Sequence, residues 1–402
     1  MKAYNNIISL ERAVIQKTDI KIVPAISSVR TALAVLALSG ILISAQMYVT
    51  IPVAGQLGQQ FGLSRDTVSW LTSLYSLGYA VGFLFSGPLS DRFGRKAVIL
   101  PGMLAMALIT LTIGLSPNFE IMLVLRLIQG LIAAAFAPAA VAYITEMFPA
   151  HLRQTGTAVM GTSFLLAGIV GQLYAGPAAQ AFGWRGMFWL MMVLYGLAAL
   201  ALWLGLPGDH FERKGSSLGR AFISMGNLLR QPALLAIFAA DLTVILSFVG
   251  LYSALGAHFN SDNLFLIRLA GTPGIFASLL GLSLYRRWGA RRVTIGGFTL
   301  AATGIALVAS ADQILFVALA GIIFTAGISL TIAGLIATVG SLANQARGAA
   351  FALHSFMLFA GGSLGPLMVT LLLPAGFSVF GLSLAALLLA SALAIKFGVR
   401  RQ

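Results

Sequence analysis

Apolar stretches follow one another from Thr31 almost to the last residue, separated by short polar breaks. A hydrocarbon core about 30 Å thick needs about 20 helical residues at 1.5 Å each, and these stretches are of that order. They are continuously apolar and do not alternate. That suits helices, whose backbone groups pair internally, and not barrel strands. The breaks predict helices at 31–53, 66–88, 97–116, 119–143, 154–181, 184–206, 233–257, 263–286, 292–311, 313–339, 345–374 and 376–397. The expected fold is all-α and polytopic, with twelve transmembrane helices.

One break is much longer than the rest. Residues 207–232 hold Asp209, His210, Glu212, Arg213, Lys214, Gly215 and Ser216, and the next apolar stretch begins only after Pro232. The expected domains are an amino-terminal segment (1–30), a six-helix bundle (31–206), a linker (207–232), a second six-helix bundle (233–397) and a tail (398–402). Basic residues give these an orientation. The amino-terminal segment, Arg92, Arg95, Lys96, Arg153, the linker, Arg286, Arg287, Arg291, Arg292, Arg347, Lys396, Arg400 and Arg401 fall on one side, and only Arg65 and Arg185 on the other. Such a bias predicts that both termini and the linker are cytoplasmic, in a bacterial-type inner (plasma) membrane.

Composition narrows the function. Hydrophobic residues make up 59% of the chain and charged ones 9%, against roughly 25% charged in a soluble domain, so a water-soluble surface cannot be built. The formal net charge of +14 would suit a nucleic acid partner, but its concentration in alternate loops follows from membrane sidedness alone. The chain has no cysteine, which excludes disulfides, thiolate metal sites and cysteine nucleophiles. Residues 1–30 mix Lys2, Arg12, Lys17, Lys21 and Arg30 with Glu11 and Asp19 and lack the apolar core of a cleaved signal. No metal-ligand cluster, nucleophile constellation or Walker sequence is present, so no enzyme, metal or cofactor is expected. Energy must come from an ion gradient or from the substrate's own. Glycine spacings such as Gly78-x-x-x-Gly82 and Gly361-Gly362-x-x-Gly365 read as close helix contacts.

The two halves echo each other. Gly87-Pro-Leu-Ser-Asp-Arg-Phe-Gly-Arg-Lys96 follows the second helix and Tyr285-Arg-Arg-Trp-Gly-Ala-Arg-Arg292 follows the eighth; Arg153 and Gly156 open the fifth, Arg347-Gly348 the eleventh. A duplicated six-helix unit accounts for this. The first segment resembles, at every position, the G-x-L-[AS]-D-R-x-G-R-[KR] signature of the major facilitator superfamily. Its Gly87 and Gly94 permit tight turns, Asp91 can cap or pair at a helix end, and Arg92, Arg95 and Lys96 hold the cytoplasmic side. Arg126-Leu-Ile-Gln-Gly130 is similar to the family's R-x-x-Q-G element, and Glu146-Met-Phe-Pro-Ala-His-Leu-Arg153 to its loop between helices four and five. Two departures stand out: Arg286 fills the acidic position in the second half, and the Gly-Pro-rich antiporter element of helix five is reduced to Gly168 and Gly171. The resemblance implies two pseudo-symmetric bundles around a central cavity lined mainly by helices one, four, seven and ten, with alternating access by rocking. It also links Arg126 with the coupling machinery.

Ionisable groups at mid-membrane cost roughly 3 kcal/mol or more, so each is a candidate site. Of the eleven acidic residues, Glu11, Asp19, Asp66, Asp91, Glu120, Glu146, Asp209, Glu212, Asp262 and Asp312 fall in loops or at helix ends, leaving Asp241 inside helix seven. It is either a proton or substrate site or a structural carboxylate paired with a base. Arg126 either supplies a fixed positive charge or holds helices by donating to carbonyls and Gln129. His354 is placed at about the depth of Asp241 and either relays protons or packs. Arg268 either serves a substrate or reaches the interface. Gln46, Tyr48, Tyr75, Tyr79, Gln129, Phe248 and Tyr252 are candidates for cavity wall, with helix packing the alternative. Helix one carries no acid.

These readings lead to a secondary transporter of a small molecule, most simply a proton-coupled exporter of a drug, toxic metabolite or secreted product such as a siderophore or sugar. An importer or uniporter of a small, possibly anionic nutrient is the alternative. The expected partners are substrate, protons and membrane lipid, without nucleic acid, and a single chain suffices.

Overall fold

The structure is a computed structural model that describes residues 26–207, 218–259, 261–311, 313–343 and 346–399. The basic and acidic residues before 26, the linker residues Asp209 to Ser216, Asp312, Arg400 and Arg401 therefore lie outside the described residues. All regular elements among the described residues are helical. Among the described residues eleven helices are long and apolar enough to cross a membrane, and one of them, Ala150–Gly205, breaks at Gly183 (φ 71°, ψ 167°), giving twelve crossings.

Crossing one is Ile26–Ala45 followed by Thr50–Phe61; crossing two is Arg65–Phe93 and crossing three Arg95–Gly114. Crossing four joins Phe119–Ala133 to Phe136–Met147, and crossings five and six are the two arms of Ala150–Gly205. Crossing seven is Pro232–His258, and crossing eight is made of Ser261–Ala270, Thr272–Ile275 and Ala277–Trp288. Crossings nine, ten, eleven and twelve are Ala290–Ala309, Ile314–Leu342, Arg347–Leu372 and Phe377–Gly398.

Crossing two runs on to Phe93, past the expected 88, and crossing four to Met147, past 143; three further differences have a visible cause. Crossing one continues past 53 to Phe61, because Pro52 sits in the first turn of Thr50–Phe61, where a missing N–H breaks no helical bond. The segment ends at Gly62, whose φ of 67° suits glycine. The polar break 207–232 contains a helix, Leu218–Leu228, with Met225 and Leu228 buried and the Phe222 ring 5.4 Å from Phe85. Crossing eight is interrupted around Gly271 and Pro273, a proline whose missing N–H ends the first segment.

Within the first six crossings, one packs on five and six, two on four, and three on six. Within the last six, seven packs on eleven and twelve, and nine on ten and twelve. Glycines set the closest approaches. A Cβ on Gly78 would stand 2.1 Å from the Leu127 carbonyl, and one on Gly361 would stand 1.8 Å from the Leu242 carbonyl. Crossings two and eleven join the two sets: Ser76 Oγ donates to the Phe359 carbonyl at 2.6 Å, and the Phe359 ring lies 4.4 Å from Tyr79 and 5.4 Å from Phe83.

Candidate functional site

Between Ala45 and Thr50 crossing one passes through tighter turns, with Met47 N–H bonded to the Ser44 carbonyl and Tyr48 N–H to that of Ala45, and the Gln46 carbonyl takes a side-chain donor in a buried place. Arg126 supplies that donor from crossing four. Its Nη2 donates to the Gln46 carbonyl at 3.0 Å, Nε to the Leu71 carbonyl at 3.2 Å, and Nη1 to Gln129 Oε1 at 2.7 Å. Gln129 Nε2 then donates to Thr110 Oγ1 at 2.7 Å. The Arg126 guanidinium also lies 4.3 Å from the Tyr75 ring centre, an attraction strengthened by the lack of water. Tyr75 and Tyr195 donate to the Ile43 and Leu42 carbonyls at 3.1 and 3.0 Å. Gln46, Tyr75 and Gln129, all expected as cavity wall, thus sit in this buried cluster, and every Arg126 bond stays within the first six crossings.

Asp241 and His354 meet. His354 Nδ1 lies 2.9 Å from Asp241 Oδ2, joining crossings seven and eleven, and both side chains are buried (0% and 2% exposed). Asp241 Oδ1 and His354 Nε2 have no hydrogen-bond partner among the described residues. Sequence spacing gave both residues the same depth; the close approach at Gly361 and Leu242 brings their helices together. Arg126 is not a partner of this pair.

A cavity of about 370 Å³ opens near the ends of crossings one, two, seven, eight and eleven that are remote from Ile26 and Gly398. Thr50, Arg65, Asp66, Ser253, Gly256 and Arg268 supply its polar wall, while Ile51, Phe259, Leu264 and Val369 supply apolar surface. Arg65 Nη1 donates to the Gly256 carbonyl at 2.6 Å, tying crossing two to crossing seven. Arg268 is 5% exposed, and its Nε and Nη2 lack any hydrogen-bond partner among the described residues. It sits one turn before the break in crossing eight, whose free carbonyls are taken by crossing ten: Thr325 Oγ1 donates to Gly271 at 2.8 Å and Ser329 Oγ to Ile275 at 3.0 Å. Arg268 is the one expected cavity residue in this wall. Tyr48 and Phe248 instead meet each other across the two sets, 5.7 Å apart, Phe248 also touches Tyr252 at 4.8 Å, and Tyr79 packs on Phe83 and Phe359. Thr50, Arg65, Asp66, Ser253 and Gly256 were missed by sequence reasoning. The available signal was Arg65, one of two basic residues in the sparsely charged loops.

The signature segment forms a charged clasp. Gly94, at φ 97°, makes the turn between crossings two and three. Arg95 then donates through Nε and Nη2 to Glu146 Oε2 and Oε1 at 3.1 and 2.8 Å, and through Nη1 to Asp91 Oδ1 at 2.5 Å. Lys96 Nζ donates to the Trp203 and Leu206 carbonyls, and Arg153 Nε to the Phe148 carbonyl at 2.9 Å. Arg92 is exposed and lies over Phe93, and Gly87 has open space where a Cβ would stand.

By helix length and composition the described residues make a multi-pass membrane protein. The family model described as Major Facilitator Superfamily matches residues 36–366, and the chain belongs to that family. The chain is 36% identical over 131 residues, 33% of its length, to the uncharacterized MFS-type transporter Rv1250 of Mycobacterium tuberculosis. It is 27% identical over 261 residues, 62% of its length, to the inner membrane transport protein YnfM of Escherichia coli. These matches span 23% and 62% of the relatives' own lengths, less than two thirds of either. It is also 32% identical over 155 residues to the 4-hydroxybenzoate transporter PcaK of Pseudomonas putida, covering 39% of this chain and 35% of that protein. Membership in that family points to a transporter.

Proposed function

We propose that this chain is a proton-coupled exporter of a small organic molecule, with Asp241 and His354 as its protonation site. The observation that carries the reading is the buried carboxyl-imidazole pair with one free oxygen and one free nitrogen. Adding or removing a proton there changes the charge of a water-poor contact between crossings seven and eleven, and so biases which packing of those helices is favoured. Residues 31–206 and 233–397 act as two bundles that rock about the substrate, with 207–232 as the linker between them. The Asp91, Arg95 and Glu146 clasp keeps crossings two, three and four moving together. Arg126 keeps the turns between Ala45 and Thr50 in shape. The chain works as a monomer in a bacterial plasma membrane, with both termini in the cytoplasm.

The test is Asp241→Asn in reconstituted vesicles with an imposed pH gradient. Gradient-driven transport is expected to be abolished while folded protein remains in the membrane; unimpaired coupling would end this reading. The direction of movement in the same vesicles separates export from the second reading, uptake of a small anion. That alternative is favoured by Arg268 in the cavity wall and by the relative named for 4-hydroxybenzoate, a carboxylate.

A further inference from the structure

Arg268 is a buried cation, and two of its three guanidinium nitrogens have no hydrogen-bond partner among the described residues. The two nitrogens without partners, Nε and Nη2, are the pair that lies along one edge of the guanidinium, and that edge matches the two oxygens of a carboxylate. This protein already pairs such an edge elsewhere: Arg95 presents Nε and Nη2 to the two oxygens of Glu146. At Arg268 no carboxylate of the described residues takes that place. Leaving charged donors unpaired and sheltered is costly, so the arrangement favours a ligand that brings acceptors.

The surroundings say which ligand. Arg268 lines the 370 Å³ cavity, within the range of small-molecule sites. Its Nη2 stands 3.9 Å from where a Gly256 Cβ would be, and Arg65 holds the carbonyl of that same Gly256, so two guanidinium groups converge on one backbone position. Among the described residues of the wall, one acid, Asp66, stands against these two cations, and it is exposed. Ile51, Phe259, Leu264 and Val369 face the same space. We infer that the cavity binds a small monocarboxylate with an apolar body, its carboxylate held at the guanidinium of Arg268 and its body on those apolar side chains. This rests on the transporter reading, and it does not depend on proton coupling at Asp241.

The experiment titrates the full chain, purified and placed in lipid nanodiscs, with benzoate and with neutral benzamide, by calorimetry and by thermal unfolding. Benzoate is expected to bind and stabilise the protein, and benzamide to do so about tenfold or more less well. Arg268→Gln is expected to weaken benzoate about tenfold to a hundredfold, and Arg268→Lys to weaken it less, because it keeps the charge and loses the fork. Equal binding of benzoate and benzamide, no binding of benzoate, or undiminished benzoate binding in a folded Arg268→Gln protein would each overturn the inference. The selectivity of the unaltered protein decides the matter even where the variant does not fold. The proton site is tested separately, by pH-gradient-driven transport in Asp241→Asn. Intact coupling in that variant alongside Arg268-dependent binding would remove the proposed proton site and leave the anion site standing.

Discussion

Crossings one and eight are both interrupted inside the helical bundle, and the two breaks are closed by different chemistry. In crossing one the Gln46 carbonyl takes a hydrogen bond from Arg126, a cation brought in from crossing four. In crossing eight the Gly271 and Ile275 carbonyls take theirs from neutral hydroxyls, Thr325 and Ser329 of crossing ten. The consequence is visible in the two buried arginines. Arg126 has all its nitrogens committed to carbonyl or amide oxygens in its own half and an aromatic face beside it. Arg268, one turn from its break, is not needed there and keeps two nitrogens free beside a cavity. A buried cation is therefore not a functional signal in itself; what counts is whether the fold already uses its donors.

The sharpest way to break this contrast is Arg126→Leu. The substitution leaves the Gln46 and Leu71 carbonyls and Gln129 Oε1 without their donor, at about 1 kcal/mol or more for each buried group. A loss of more than about 3 kcal/mol is expected, read as a lower unfolding temperature and poor recovery of folded protein. Arg126→Lys keeps the charge but not the geometry of three separate bonds, and should fall between. A leucine variant as stable as the unaltered protein would show that the arginine does not hold the break.

At the other break the effect should be smaller. Ser329→Ala removes one hydroxyl from the Ile275 carbonyl and is expected to cost about 0.5–1.5 kcal/mol. Thr325→Val is a less clean probe, because Thr325 Oγ1 also lies 3.0 and 3.1 Å from the Gly321 and Ile322 carbonyls. Thermal unfolding of the two single variants and the double variant measures whether the hydroxyls act separately. A loss at Ser329→Ala as large as that at Arg126→Leu would erase the distinction between the breaks.

Much of this was legible in the sequence, and what was not has a common cause. Length and hydropathy gave the crossings, because a helix that must satisfy its backbone in lipid has little freedom in length. The signature gave the clasp, where Asp91 and Arg95 are four residues apart on either side of the Gly94 turn and so meet for local reasons. Helix depth gave Asp241 and His354 a shared level, but their contact needed the rotation of crossings seven and eleven, which depends on the glycine contact at Gly361. Rotation likewise sent Tyr75, Gln46 and Gln129 into the Arg126 cluster, a fate their residue types could not distinguish from facing a cavity. The break in crossing eight was marked by Gly271 and Pro273, but membrane helices tolerate both residues, so the marks did not decide it.

The smallest stability effect is expected at Arg268→Gln, and it is the one that sharpens the comparison most. No described acceptor depends on Nε or Nη2 of Arg268, so the substitution orphans nothing on the protein and takes away a charge that the fold does not neutralise. Stability without added ligand should change by less than about 1 kcal/mol, with a gain as consistent as a small loss. Unfolding measured beside Arg126→Leu, in the same lipid and without carboxylate in the buffer, makes the test. A large loss at Arg268→Gln would mean that this arginine, like Arg126, is held by the fold through its remaining contacts, and the contrast between a committed and an uncommitted buried cation would fall. A small change would fix Arg268 as a group whose burial is explained by something other than stability, because a sheltered charge that stabilises nothing is otherwise a cost the fold could shed with one substitution.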